Sequence, residues 1–125
     1  MEEVIIYNKS QPHVKEVKAQ YGDHFWRRLR GFMFRRRIAF KEGLLLVQDR
    51  LSRLDAAIHM FGVYTDLAVF WLDDEKKVVD RCLARRWRPF YIPKRPARYV
   101  LELAPERLKD FNVGDELHFE EIIAD

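Results

Sequence analysis

The stretch "DLAVFWLDDEKKVVDRCLA", Asp66–Ala84, decides how this chain folds. Two short apolar runs, residues 67–72 and 78–84, flank the polar residues Asp73–Lys77. β-Branched and aromatic side chains dominate the runs, and such residues suit a pleated, buried surface. A short polar link between two such runs turns the chain back on itself, so the segment predicts a β-hairpin.

The same reading extends outward in both directions. "VIIY" (4–7) predicts a short strand, and "SQP" (10–12) a turn after it. "HVKEVKAQ" (13–20) alternates imperfectly around Val14 and Val17 and predicts a second strand. "GLLLVQ" (43–48) is a continuous apolar run suited to a buried strand, and "AAIHMF" (56–61) is read as another extended piece. "ARYVLEL" (97–103) alternates cleanly as a strand. "APERLKDF" (104–111) predicts about two helical turns. "NVGD" (112–115) then turns into a last strand, "ELHFEEI" (116–122).

Two segments break the β pattern. In "DHFWRRLRGFMFRRRI" (23–38), Phe25, Trp26, Leu29, Phe32 and Met33 fall at helical spacing, with arginines on the opposing arc. Asp23 is placed to cap this helix by accepting its unpaired amide hydrogens. Gly31 inside it either permits close packing or splits it in two, and the aromatic stripe is read as core. In "RRWRPFYIPKRP" (85–96), three prolines disfavour a helix or a central strand. That segment predicts an ordered loop pinned by Trp87, Phe90 and Tyr91. The sum is seven or eight strands with two helical pieces. Consecutive β-runs, rather than alternating strands and helices, argue against a doubly wound sheet. The expected fold is mostly β (α+β), a single domain over residues 1–125 built as a curled sheet or small β-barrel-like fold with one or two short helices.

Length and composition agree with one domain. A chain of 125 residues, 48% of them hydrophobic, is large enough for a core and too apolar to be disordered. No run of about 18 apolar residues is available to span a membrane. The start, "MEEVIIYNKS", has acids where a secretory signal carries basic residues, which predicts a cytoplasmic protein. The single cysteine, Cys82, excludes an internal disulfide and a multi-cysteine zinc site. Net charge is only +3, yet residues 23–37 carry +5 and residues 81–98 carry +7. The remainder therefore carries −9, an asymmetry that points toward an anionic partner.

"RGFMFRR", "GLLLV", "IHMFGVYTDLAVFWLD", "KKVVD", "ARYVLEL" and "NVGDEL" follow one another in an order and spacing that resemble the domain-of-unknown-function family 192. These are small β-rich domains of bacteria and archaea, and the resemblance runs from about Trp26 to Leu117. It implies a compact, barrel-like fold and no assigned activity. Family members commonly carry Pro, an apolar residue and Asp before the strand ending in "FLD". The corresponding positions here are Asp66, Leu67 and Ala68, so the usual carboxylate is absent at Ala68, and Asp66 is the acid that would replace it. The polar or methionine positions before it are Gly62 and Val63.

Candidate chemistry is sparse. His59 has an imidazole that can move a proton near neutral pH, with Asp66 and Asp73 as the weak candidate partners and Asp55 also near in sequence. The competing reading is a structural histidine bonded to backbone or to an acid. His13, His24, His59 and His118 share no metal-ligand spacing, so no metal site is predicted. Cys82 has Arg81 beside it but lies in an apolar run, which favours an inert buried thiol. No phosphate-cradling glycine loop or nucleophile-elbow serine occurs, and no cofactor is expected.

The arginine segments are the stronger candidate. Nucleic-acid binders neutralise phosphates with Arg and Lys and stack unpaired bases on aromatic rings. Arg85, Arg86, Arg88, Lys94, Arg95 and Arg98 are interleaved with Trp87, Phe90 and Tyr91, and "RRLRGFMFRRR" (27–37) supplies a second basic face. Alternatively, the aromatics pin the loop while the arginines are solvated or pair with Glu102, Glu106 and Glu116. The sequence thus predicts a binding or interaction module for an anionic small molecule, an acidic protein surface or RNA. Its ligand-binding residues would be Arg85, Arg86, Trp87, Arg88, Tyr91, Lys94, Arg95 and Arg98. The alternative is a small hydrolase-like or ligand-modifying enzyme using His59 with a nearby aspartate.

Overall fold

The computed structural model describes residues 3–23, 32 and 34–122. Seven strands form one curled sheet: β1 (Glu3–Asn8), β2 (Val17–Asp23), β3 (Glu42–Ser52), β4 (Leu67–Leu72), β5 (Val78–Ala84), β6 (Ala97–Leu103) and β7 (Leu117–Glu121). Their order across the sheet is β5-β4-β6-β3-β2-β1-β7. β2 and β3 run parallel, and every other neighbouring pair is antiparallel. A bridge from Lys77 to Glu116 joins the two outer strands at one corner. There Val78 donates its amide to the Asp115 carbonyl at 2.9 Å, and Leu117 donates to Lys76 at 2.9 Å. The expected mostly-β, curled-sheet architecture is the one observed.

β4 shows why its sequence is uninterruptedly apolar. All six residues are buried, because the strand is covered on both faces. Leu67, Val69 and Trp71 enter one core with Leu44, Leu46, Ile58, Met60 and Val63. Ala68, Phe70 and Leu72 enter a second core with Ile6, Val17, Leu45, Leu101 and Phe111. Successive side chains point to opposite faces, so a strand between two cores reads as a run rather than an alternation. Ala68, where the family's usual carboxylate is absent, is fully buried in this second core.

The predicted β4–β5 hairpin is present. The Asp73 carboxylate accepts the amides of Glu75 at 2.9 Å and Lys77 at 3.0 Å, which organises the turn. Pro105–Asp110 forms a short 3-10 helix, the helical piece expected there. The helix expected after Asp23 lies outside the described residues; Asp23 itself ends β2. "AAIHMF" departs from expectation, for residues 56–61 form no regular strand. A single bridge pairs Ile58 with Tyr91, and Gly62, at φ 76°, turns the chain immediately afterwards. The side-chain alternation still holds locally, with Ile58 and Met60 buried and His59 half-buried.

Two devices hold the layers together. Trp71 donates its indole N–H to the Ala56 carbonyl at 2.8 Å, tying β4 to the segment packed across it. Arg107 is fully buried and donates to the carbonyls of Lys15, Glu16 and Phe40, pairing also with Asp110 at 2.9 Å. Its guanidinium lies 4.4 Å from the Phe40 ring centre. A buried guanidinium persists only when its fan of donors is satisfied, and here backbone oxygens from two separate segments do this.

Candidate functional site

Three segments meet over the first core. The Phe34 amide donates to the Gly62 carbonyl at 2.7 Å. Trp87 donates to the Met60 carbonyl at 3.1 Å, and Met60 donates back to Arg88 at 3.1 Å. Ile58 and Tyr91 exchange both backbone hydrogen bonds at 2.9 Å. The proline loop is thereby laced to residues 58–62, which are in turn laced to residue 34.

This lacing lines up a row of aromatic rings. Phe34 and Tyr64 have centroids 6.1 Å apart, and Tyr64 and Trp87 are 5.5 Å apart, tilted by 48°. The Arg36 guanidinium lies 5.9 Å from the Tyr64 ring centre, within cation–π range. Phe34 is 66% exposed and Trp87 49% exposed. A trough of about 410 Å³ opens beside the rings, lined by Arg36, Tyr64, Arg86 and Trp87.

Backbone strain marks the same place. Phe34 at φ 65° and Trp87 at φ 67° occupy the left-handed region, which costs a residue with a Cβ roughly 1–2 kcal/mol. A third non-glycine residue in this region, Lys76, belongs to the β4–β5 turn. Two strained aromatics on separate loops of one face are therefore held outward by their surroundings.

The predicted binding residues separate into two groups. Arg85, Arg86, Trp87 and Arg88 lie at the Asp66 end of β4. Arg85 pairs with Asp66 at 3.3 Å, and the Arg86 amide donates to the same carboxylate at 2.9 Å. Tyr91 is the pin among the predicted aromatics: its hydroxyl accepts the Arg85 amide at 2.7 Å, and Arg88 lies 5.3 Å from its ring centre. Trp87 and Phe90 instead stand exposed. Lys94 and Arg98 are tied at the other end of the proline loop. The Lys94 amide donates to Asp80 at 2.9 Å, and Arg98 donates to the Gln48 carbonyl at 2.6 Å and pairs with Asp74 at 3.1 Å. Arg95 is exposed. Of the predicted binding residues, Arg85 and Arg98 enter ion pairs among the described residues, while Arg86, like Arg36, stands outside those pairs.

His59 is half-buried; its Nδ1 accepts the Phe61 amide at 3.2 Å, and its ring packs 5.6 Å from that of Phe61. Asp66 and Asp73 flank opposite ends of β4, about 20 Å apart at the usual strand rise. Asp66 holds the Arg85–Arg86 corner and Asp73 holds the hairpin turn. No group of three or more His, Cys, Asp or Glu side chains is placed to hold a metal ion among the described residues. Burial pushes the Cys82 thiol up to about 12, with Asp80 and Glu102 adding to the effect.

The sequence reading passed over Tyr64, the ring at the centre of the row. Nothing in "GVYTD" distinguishes it locally, since its role is created by the turn at Gly62 and by the arrival of Phe34 and Trp87. Phe34 and Arg36 fall within the second basic segment already noted, but their meeting with the proline loop carried no sequence signal.

Comparison with known proteins places the chain in a family. The chain matches the family described as uncharacterized ACR, domain-of-unknown-function family 192, over residues 6–119. A UPF0127 protein of Thermococcus gammatolerans is 40% identical over 78% of this chain, and the match spans 62% of that protein's own length. A UPF0127 protein of Pyrococcus abyssi is 33% identical over 92% of this chain and 97% of its own. Among solved structures, a Sinorhizobium meliloti protein provisionally assigned as a transcription regulator shares the fold at 20% identity, with a TM-score of 0.78 over 94% of this chain and 92% of that one. A Novosphingobium aromaticivorans protein of unknown function does so at 17% identity, with a TM-score of 0.76 over 93% of this chain and 83% of that one. On the breadth of the family match and the identity of these relatives, the chain belongs to the domain-of-unknown-function family 192.

Proposed function

We propose that this protein is a binding module whose aromatic–arginine face takes an anionic partner. The trough between Arg36, Tyr64, Arg86 and Trp87 carries this reading. Two guanidinium groups outside the described ion pairs flank two exposed rings. Guanidinium forks match the geometry of phosphate and carboxylate oxygens, and planar rings beside them supply contact area at small entropic cost.

Titration with heparin as a probe polyanion tests the proposal. Affinity is expected to fall linearly with salt on logarithmic axes, because bound cations are released from the polyanion. Arg36→Gln and Arg86→Gln should each weaken binding and flatten the slope by about one unit. A titration that does not change with salt, or variants that bind as the parent does, would overturn it.

A further inference from the structure

The anionic face has a more specific chemistry than charge alone. Resting on the reading above, we infer that its partner is a single-stranded nucleic acid whose bases stack on the Tyr64–Trp87 row while its phosphates meet Arg36 and Arg86.

The lining of the trough is the first argument. Cations alone suffice to hold a polyanion such as heparin, for which exposed rings add only contact area. Here two of the four lining residues are aromatic, and Phe34 extends the row to three rings. Exposed aromatic surface is a cost in water unless a partner covers it. Bases have π-faces whatever their identity, and sequence-tolerant binders of single strands combine such rings with cations along the backbone path.

The second argument is dimension. Centroid spacings of 5.5 and 6.1 Å, with rings tilted 48° and 51°, make the three rings a continuous packed row without parallel stacking. Phe34 and Trp87, at the two ends of the row, keep the most ring surface open to unpaired bases, while Tyr64 between them also carries the Arg36 guanidinium. The 410 Å³ trough has the size of a small-molecule site and suits a nucleotide unit. A duplex hides its base faces, so this chemistry selects single strands.

The third argument is the strain. Neither ring is fixed by full burial as Ile58 and Met60 are, for Phe34 is mostly exposed and Trp87 about half. Yet both backbones are locked in the left-handed region by hydrogen bonds to Gly62 and Met60. That arrangement pre-orders the rings, which lowers the entropic cost of seating a flexible strand.

Three probes on the full chain separate the possibilities: fluorescein-labelled oligothymidylate, an abasic oligonucleotide of equal length and backbone charge, and heparin. Oligothymidylate is expected to bind about tenfold or more tighter than the abasic strand, the scale of one stacked base. Trp87→Ala and Tyr64→Leu should each remove about that factor from the preference for oligothymidylate over the abasic strand. The two oligonucleotides bound equally by the parent protein would overturn the inference and leave the anionic face standing. Failure of all three probes would remove both. A fourth probe, phosphatidylglycerol vesicles, bound in preference to oligothymidylate would overturn it in favour of a membrane surface. The abasic comparison uses the unaltered chain, so a variant that fails to fold does not spoil the test.

Discussion

Trp71 and Ala56 are joined by a buried hydrogen bond, indole N–H to carbonyl at 2.8 Å, between β4 and the segment that carries His59, Gly62 and Tyr64. The ring row thus stands on a polar stitch through the first core. Trp71→Phe keeps an aromatic ring but strands the Ala56 carbonyl. An unsatisfied buried acceptor costs about 1–3 kcal/mol. Urea denaturation should show that loss as a lowered midpoint with an unchanged slope. Stability equal to the parent's would mean that water replaces the indole.

Arg107 should be among the most sensitive residues in the chain despite lying far from the trough. Arg107→Met keeps the side chain's bulk and removes every donor it offers to Lys15, Glu16 and Phe40, and its ion pair with Asp110. Removing one partner of a buried pair costs about 3–5 kcal/mol, enough to unfold a domain of ordinary stability. Thermal melting followed by circular dichroism checks this, and a melting temperature within a degree or two of the parent's would contradict it.

Gly43 is required by packing. A Cβ built there lies 2.6 Å from Val17 Cγ1 and 2.8 Å from Leu103 Cδ2, across both neighbouring strands. Gly43→Ala therefore overpacks the second core and should destabilise by about 1–3 kcal/mol. Gly43→Ala combined with Val17→Ala should recover part of that loss, because the nearest clashing methyl is then gone. Additive losses in denaturation midpoints would argue that the strands themselves have moved.

Cys82 makes stability fall in alkali. Burial raises the thiol to about 12 in the folded chain, against an ordinary value of 9.0. A raised folded value means the neutral thiol's contribution is full below pH 9 and is lost as pH climbs toward 12. Denaturation midpoints should decline across that window, and less steeply in Cys82→Ala. The native thiol should also react slowly with iodoacetamide at pH 8, accelerating on unfolding. Fast native alkylation would place the sulfur in solvent.

The chain's strands were legible wherever burial is decided by neighbours in sequence. "LAVFWL" is apolar throughout because β4 faces two cores, and "DDEKK" turns because Asp73 caps its own amides. "AAIHMF" misled because an isolated bridge buries Ile58 and Met60 on the same alternation a strand would. Arg98 reads like its neighbouring arginines, yet the pairing of β3 with β6 brings the Gln48 carbonyl to it. Arg107 gave no signal, since its carbonyl partners come from segments far away in the chain.

By itself the sequence determined the β-rich class, the hairpin and the uneven spread of positive charge. Those depend on which residues shun water and on local turn chemistry. Only the tertiary structure decided that Phe34, Arg36, Tyr64, Arg86 and Trp87 share one face. Their meeting rests on backbone hydrogen bonds from residue 34 to Gly62 and from residue 87 to Met60. Such long-range bonds follow from how the sheet curls and what packs across it, and no local pattern encodes them.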